Sequence, residues 1–186
     1  MKLKKINAAL GLLTILFMLL HIGFSVYSYL TMYYNPFLKM IFAIPFMVLV
    51  CLHAVCGMMT VFMQKDGSSL NLYPKKNLRT ILQRLSAALI FPLLILHINT
   101  FTLMSKCAAG GHTFFIILLI IAEILFFGVV ITHISVSFTN GLVTLGILTS
   151  ESVRNKMDTV IFILNGIIFV ISVYAVVKGQ VIMFLH

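Results

Sequence analysis

Five long apolar runs constrain the fold of this chain more than any other feature of its sequence. They cover residues 6–31, 36–63, 78–104, 113–139 and 157–182, and short polar turns separate them. Each run is longer than the roughly 20 residues that a helix needs to cross about 30 Å of hydrocarbon. With 61% hydrophobic residues and four acids among 186 residues, the chain has no composition for a soluble domain. We therefore predict an all-α integral membrane protein with five transmembrane helices, built as a single domain over residues 1–186.

The basic residues predict how the helices are oriented. If odd-numbered helices run outward, ten lysines and arginines lie on the inner side and three on the outer side. The inner set is Lys2, Lys4, Lys5, Lys65, Lys75, Lys76, Arg79, Arg84, Arg154 and Lys156, and the outer set is Lys39, Lys106 and Lys178. This asymmetry predicts a multi-pass protein of the cytoplasmic membrane, with its N-terminus in the cytoplasm and its C-terminus outside. It also explains the net charge of +9, so nucleic acid is not an expected partner.

The parts between the runs are too small to hold an enzyme's machinery. The inner segments 64–77 and 140–156 cannot enclose a flavin, a nucleotide or an iron–sulfur cluster. Cys51, Cys56 and Cys107 form no CxxC motif and suggest no disulfide. The first run is longer than the apolar region of a signal peptide, and we expect it to be retained. Any chemistry that this chain serves is therefore expected within the bilayer or on another subunit.

Four histidines lie within the first four apolar runs, where a polar side chain needs a partner or a task. Counting 1.5 Å per residue from the inner edge, His21 lies about 22 Å deep and His97 about 18 Å deep. His53 lies about 15 Å and His133 about 8 to 15 Å from the same edge. Because alternate helices run in opposite directions, this grouping into two levels does not follow from sequence spacing alone. The depths predict an outer pair, His21 with His97, and an inner pair, His53 with His133.

Two facing imidazoles at one level of a helix bundle are a typical ligand set for a low-spin haem iron. Two such levels predict two b haems stacked across the membrane. Three other interpretations stay open at this point: another metal, a proton relay, or hydrogen bonds between helices. Neither level has acidic or thiolate co-ligands, which disfavours a zinc or iron–sulfur site.

Three local motifs resemble those of a known family. They are LFMLLHIGFSVY at 16–27, HAVCGM at 53–58, and a third motif of Gln83, Arg84, Ser86, Ala87 and His97. In this order and on these helices, they resemble the dihaem cytochrome b membrane anchor of succinate:quinone oxidoreductases and quinol:fumarate reductases. The likeness is to the single-chain, five-helix type and covers essentially the whole chain. Ala87 is a departure, because the family usually has glycine there.

The fourth haem-ligand position departs further from the family pattern. That ligand usually stands four residues before a Gly-Leu pair, which here is Gly141-Leu142, so the matching residue is Ser137. The nearby histidine, His133, lies one turn away on roughly the same helix face. We predict that His133 is the ligand, with an altered or absent inner haem as the alternative.

The resemblance implies a non-catalytic subunit of an oxidoreductase complex. A cytoplasmic flavoprotein subunit would interconvert succinate and fumarate, and an iron–sulfur subunit would dock on the basic inner face. Electrons would pass between that subunit and a membrane quinone, expected to be menaquinone, through the inner and then the outer haem. The first four helices would form the haem-binding bundle.

Two further polar residues receive roles as expectations. Arg84 lies about 13 residues inward of His97, where a guanidinium group suits pairing with a haem propionate, although a snorkelling arginine explains it equally well. Glu123 lies at the level of the outer haem, where it would accept a proton from quinol, or else form a hydrogen bond between helices. We expect Lys75, Lys76 and Arg79 to be solvated and Ser86 to bond the backbone.

Two rival functions remain open from the sequence. The first is a cytochrome b subunit that serves another quinone-linked enzyme, such as a hydrogenase or a different flavin-dependent reductase. The second is a proton channel or transporter that uses the histidines as a relay. The scarcity of other charges within the apolar runs, and the lack of repeated broken helices, argue against the second function.

Overall fold

The computed structural model describes residues 2–64 and 74–185. For residues 62–64 and 74–77 it describes the backbone only. Five helices make up this part of the chain: α1 (Lys2–Thr31), α2 (Pro36–Gln64), α3 (Pro74–Ala109), α4 (Thr113–Leu145) and α5 (Glu151–Phe184). All five contain a stretch long and apolar enough to cross a membrane. The prediction of an all-helical protein with five membrane-spanning helices is confirmed.

Local chemistry sets the ends of the helices. Asn35 accepts a hydrogen bond from the amide of Leu38 at 3.1 Å, and Pro36 follows it as the first residue of α2. Asparagine at the cap and proline at the first helical position are both favoured there. Gly111 and Gly146 take positive φ angles of 71° and 81°, which end α3 and α4 at little conformational cost.

Several helices extend beyond the predicted apolar runs. α4 continues to Leu145 and α5 begins at Glu151, whereas the runs end at 139 and begin at 157. The reason is that a helix satisfies its own backbone hydrogen bonds, so polar residues at the membrane edge do not end it. It continues until a residue such as Gly146 closes its last turn.

Short connections make neighbouring helices antiparallel. α1 packs against α2, α4 and α5, and α4 also packs against α3 and α5. We call the end of the bundle that holds the start of α1 the N side, which is the predicted cytoplasmic end, and the opposite end the C side. The ends of α2 and α4 and the starts of α3 and α5 also lie on the N side. This arrangement places His53 and His133 on the N side, and His21, His97 and Glu123 toward the C side.

Helix α2 is the least enclosed of the five. No residue in its apolar stretch is buried within the chain, compared with 22% of the corresponding stretch in α4. Among the described residues, its extensive packing is against α1, and it packs closely against neither α3 nor α4.

Candidate functional site

His53 and His133 meet at the N side. Their ring centres lie 6.4 Å apart, and the ring planes are inclined at 68°. One ring comes from α2 and the other from α4, two helices that are not neighbours in the chain. The structure thus brings together the two histidines that depth alone assigned to the inner pair.

The main chain of α1 fixes the orientation of His53. Its Nδ1 lies 3.1 Å from the carbonyl oxygen of Asn7. Because a carbonyl oxygen only accepts hydrogen bonds, Nδ1 is the nitrogen that carries the proton. Gly11 lies against the ring, since a Cβ atom there would be 3.0 Å from Cε1 of His53. The tautomer leaves the lone pair on Nε2, which is the form that binds a metal.

His133 is held in the same way by α3. Its Nδ1 lies 3.2 Å from the carbonyl oxygen of Gln83 and 3.1 Å from Oγ of Ser86. The Ser86 hydroxyl donates its hydrogen to the carbonyl of Leu82 at 2.6 Å, so its oxygen acts as an acceptor toward His133. Nδ1 of His133 therefore carries the proton, and Nε2 again has the lone pair.

Ser137 does not take part in this pair. Its hydroxyl donates to the carbonyl oxygen of His133 at 2.5 Å, one turn back along α4. The structure therefore places His133, and not the residue at the family's usual position, against His53. Ser86 bonds the backbone as predicted, but it also contacts His133, which the sequence did not indicate.

On the C side, His97 has a carboxylate as its partner. Its Nδ1 lies 2.7 Å from Oε2 of Glu123, whose side chain is 4% exposed. The ring stacks on Phe126 with centres 4.8 Å apart, and the edge of Phe127 lies beside it. Glu123, predicted to lie near the outer haem, thus contacts a candidate ligand directly.

His21 of α1 lies on the same side of the bundle. Its ring stacks on Phe46 of α2, with centres 5.5 Å apart and planes inclined at 22°. Its Nδ1 is buried and has no hydrogen-bond partner within the described part of the chain. The C side therefore contains the two histidines of the predicted outer pair, but each ring stacks on a phenylalanine.

The prediction that Arg79 is solvated is wrong. Its guanidinium forms a two-pronged ion pair with Asp158 at 2.7 and 2.9 Å, and it also donates to Thr139 and to the carbonyl of Val136. These bonds join α3, α4 and α5 at the N side. This ion pair was hard to predict from the sequence, because Asp158 lies 79 positions away from Arg79. A lone acid near the start of an apolar helix is the signal that points to such a partner.

Arg84 lies on the exposed surface of α3, next to Gln83, whose carbonyl bonds His133. Its role as a propionate partner stays a prediction. Of the other basic residues, Lys65 lies outside the described residues, and only the backbone of Lys75 and Lys76 is described. Arg154 donates to Asn140 at 2.7 Å, and Asn140 in turn contacts the side chain of Gln83 at 3.4 Å.

Sequence reasoning missed Asn7 and Gly11, yet a signal for such positions exists. Side chains of a helix lean toward its N-terminus, so a residue covers the carbonyl one turn before it. Gly11 follows Asn7 by four residues, and Ala87 follows Gln83 by four. Both carbonyls that bond a histidine are thus followed by a small residue that leaves them accessible from the side.

The candidate site residues lie in pairs, such as His53 with His133 and His97 with Glu123. Within the described ranges, no three His, Cys, Asp or Glu side chains gather around a point where a metal ion would bind. Cys51, Cys56 and Cys107 are all free, as the sequence predicted. Two facing histidines without further protein ligands are one set that can bind a haem iron.

Fold and site together define a class: an all-helical, multi-pass membrane protein with histidines from four helices grouped at two levels. Comparison with known proteins takes the identification no further, because no family model, no curated protein and no solved structure matches this chain.

Proposed function

We propose that this chain is the haem-carrying membrane subunit of a succinate dehydrogenase or fumarate reductase complex. In this proposal it binds two b haems, at His53 with His133 on the N side and at His21 with His97 on the C side. It passes electrons between a cytoplasmic iron–sulfur subunit, itself joined to a flavoprotein subunit, and a membrane quinone such as menaquinone. The chain itself carries no succinate chemistry.

The His53–His133 pair is the observation that carries the proposal. Two metal–imidazole bonds of about 2 Å each, plus the distance from each bonded nitrogen to its ring centre, add up to roughly 6 Å. The observed separation of the ring centres is 6.4 Å. The 68° angle between the ring planes would also be compatible, since two histidines that bind one metal from opposite sides need not have parallel rings.

The support behind each ring strengthens this argument. A histidine that binds a metal almost always donates its other N–H to a carbonyl or a carboxylate. His53 and His133 do so to the carbonyls of Asn7 and Gln83, and His97 does so to Glu123. Three of the four proposed ligands therefore have the outer hydrogen bond that metal-binding histidines usually make. The Nδ1 atom of His21 is buried and has no such hydrogen bond within the described part of the chain. His21 is therefore the least supported of the four proposed ligands.

The shape of the bundle is compatible with a flat macrocycle. A haem held between α2 and α4 would need room beside the His53–His133 axis, and the sparse packing of α2 on α3 and α4 among the described residues is compatible with this. Gly11 beside His53 keeps the ring free of a neighbouring side chain. The haem, when bound, supplies the one-electron chemistry, and the chain supplies the ligands, their orientation and a low dielectric.

The N side has the charge that an acidic partner subunit would recognise. Lys2, Lys4, Lys5, Arg84 and Lys156 are all exposed there. Positive potential on this surface would raise the rate at which a negatively charged iron–sulfur subunit docks.

Haem quantification on the purified full-length chain tests the proposal. We expect a reduced-minus-oxidised spectrum of the b type and two haems per chain. H53A and H133A should each lose one haem, and H21A and H97A should each lose the other. H112A is the matched control, because His112 is exposed in the turn between α3 and α4.

Absence of any b-type signal in the wild-type protein would overturn the proposal, and that is the result expected for a histidine proton relay. One haem that survives H133A would contradict the N-side assignment. The partner is tested separately, by the genes beside this one: a flavoprotein and a ferredoxin-like iron–sulfur protein are expected. A hydrogenase gene in their place would favour a different quinone-linked enzyme.

A further inference from the structure

Among the acidic residues that the structure describes, Glu123 is the most deeply buried. The residue is 3% exposed, and Ile120 and Phe126, which lie one turn before and after it on α4, are buried as well. A carboxylate in such surroundings is costly unless it is paired. Its carboxylate accepts a hydrogen bond from Nδ1 of His97 at 2.7 Å.

The ring of His97 is fixed by several contacts at once. Glu123 holds Nδ1, the face stacks on Phe126 at a 27° inclination, and Phe127 approaches at 69°. As an acceptor, the Glu123 carboxylate keeps the proton on Nδ1 and leaves the lone pair on Nε2. The geometry therefore sets both the tautomer and the direction of the ring.

The other three histidines lack this feature. His53 and His133 donate to neutral carbonyl oxygens, and Nδ1 of His21 has no partner. A carboxylate draws the Nδ1 proton more strongly than a carbonyl does, which raises the basicity of the ligating nitrogen. His97 is thus the most electron-donating of the four rings.

We propose that Glu123 is a positioning residue for His97, and that its carboxylate lowers the midpoint potential of the C-side haem. This inference rests on the proposed function. It gives Glu123 a role different from the proton acceptor that the sequence suggested. A more basic axial ligand stabilises the ferric over the ferrous iron, so the hydrogen bond from His97 makes that haem harder to reduce.

E123Q is the first test, because glutamine keeps the shape and an acceptor oxygen but removes the charge. We expect E123Q to keep two haems, with an upward shift in the midpoint potential of the C-side haem. The ferric electron paramagnetic resonance signal of that haem should move as well, while the N-side haem stays unchanged. H21A and H53A identify which signal belongs to which haem.

E123D and E151Q complete the design. E123D retains the charge on a shorter side chain and should return the potential of the C-side haem most of the way to the wild-type value. E151Q removes a carboxylate from the exposed start of α5 and should change neither haem. Loss of the C-side haem in E123Q, restored in E123D, would also support positioning by the charge.

Nitrogen-15 spectra of the histidines in haem-free protein give a second readout. Wild-type His97 should show the Nδ1–H tautomer, and E123Q should show a mixture of tautomers. Unchanged potentials, resonance signals and tautomer in E123Q would overturn the role of Glu123 while leaving the two-haem proposal intact. Loss of both haems in E123Q and E123D would overturn it too, because the residue would then serve folding. A wild-type protein without haem would instead remove the proposed function, and the role of Glu123 with it.

Discussion

The N-side and C-side histidine pairs use the same residue type with different support. On the N side, His53 and His133 contact each other, and main-chain carbonyls of α1 and α3 hold them. On the C side, His97 is held by the Glu123 carboxylate, and His21 has a stacked phenylalanine but no hydrogen bond at Nδ1. Neutral dipoles thus orient both rings of the N-side pair, whereas on the C side a charge orients His97 alone.

A bundle with few polar residues can therefore orient imidazole rings in two ways, by main-chain carbonyls or by a carboxylate. A helix carbonyl retains a second lone pair after its own helical hydrogen bond, so it serves as an acceptor wherever a small residue leaves it accessible. Gly11 and Ala87 provide that access on the N side. The N-side and C-side pairs are therefore expected to be sensitive to different substitutions.

The largest effect is expected from G11L. A Cβ at this position already comes within 3.0 Å of the His53 ring, so a leucine must displace the imidazole. We expect loss of the N-side haem, about half of the total, with the C-side haem retained. Haem content per chain and the reduced-minus-oxidised spectrum measure this outcome.

G23L is the matched control for G11L. Gly23 lies on the same helix two residues after His21, and a Cβ there has no neighbour within 4 Å. We expect it to keep both haems. Equal haem content in G11L and wild type would show that the contact between Gly11 and His53 has no bearing on the N-side pair.

A smaller effect is expected from D158L, which tests what else distinguishes the N side. The substitution removes the carboxylate that accepts two hydrogen bonds from Arg79. A charge-assisted hydrogen bond of this kind contributes about 1.5–3 kcal/mol to the free energy of unfolding. Because both side chains are partly exposed, we expect D158L to lower the free energy of unfolding by about 1–3 kcal/mol in total. Unfolding in mixed micelles would measure the loss in free energy of unfolding.

The double variant R79L/D158L should recover most of that loss, since no unpaired charge remains. K156L, an exposed position on the same helix, serves as the control. A D158L protein as stable as the wild type would show that the ion pair does not contribute to the stability of the N side.

The smallest effect is expected from S86A. His133 loses one acceptor at 3.1 Å but retains the Gln83 carbonyl at 3.2 Å. A single neutral hydrogen bond contributes about 1 kcal/mol, so the affinity for the N-side haem should fall less than tenfold. Haem titration into the haem-free protein measures it. Complete loss of the N-side haem in S86A would mean that the serine, and not the carbonyl, orients His133.

Much of the fold could be predicted from the sequence. Five helices follow from run length, because any apolar segment of that length in a bilayer must satisfy its own backbone. The same rule explains why the boundaries were less accurate: polar residues such as Glu151 and Arg154 belong to α5, although they lie outside the apolar run that predicted it.

The site was only partly predictable. Helical rise alone put His53 and His133 at one level, because depth depends on nothing but residue count. Their partners, Asn7 and Gln83, use backbone oxygens, which every residue has and no sequence motif displays. Glu123 was placed near the right histidine by depth, but its 2.7 Å contact with His97 depends on how α3 and α4 rotate about their axes.

The class of fold, the number of helices and the depth of each polar side chain follow from the sequence, since they depend on local composition and on a fixed rise per residue. Which side chains face each other depends on how the helices pack. Arg79 pairs with Asp158, His133 rather than Ser137 meets His53, and a carboxylate rather than a carbonyl holds His97. These choices follow from helix rotation and from which helices are neighbours, and both are set by packing across the whole bundle.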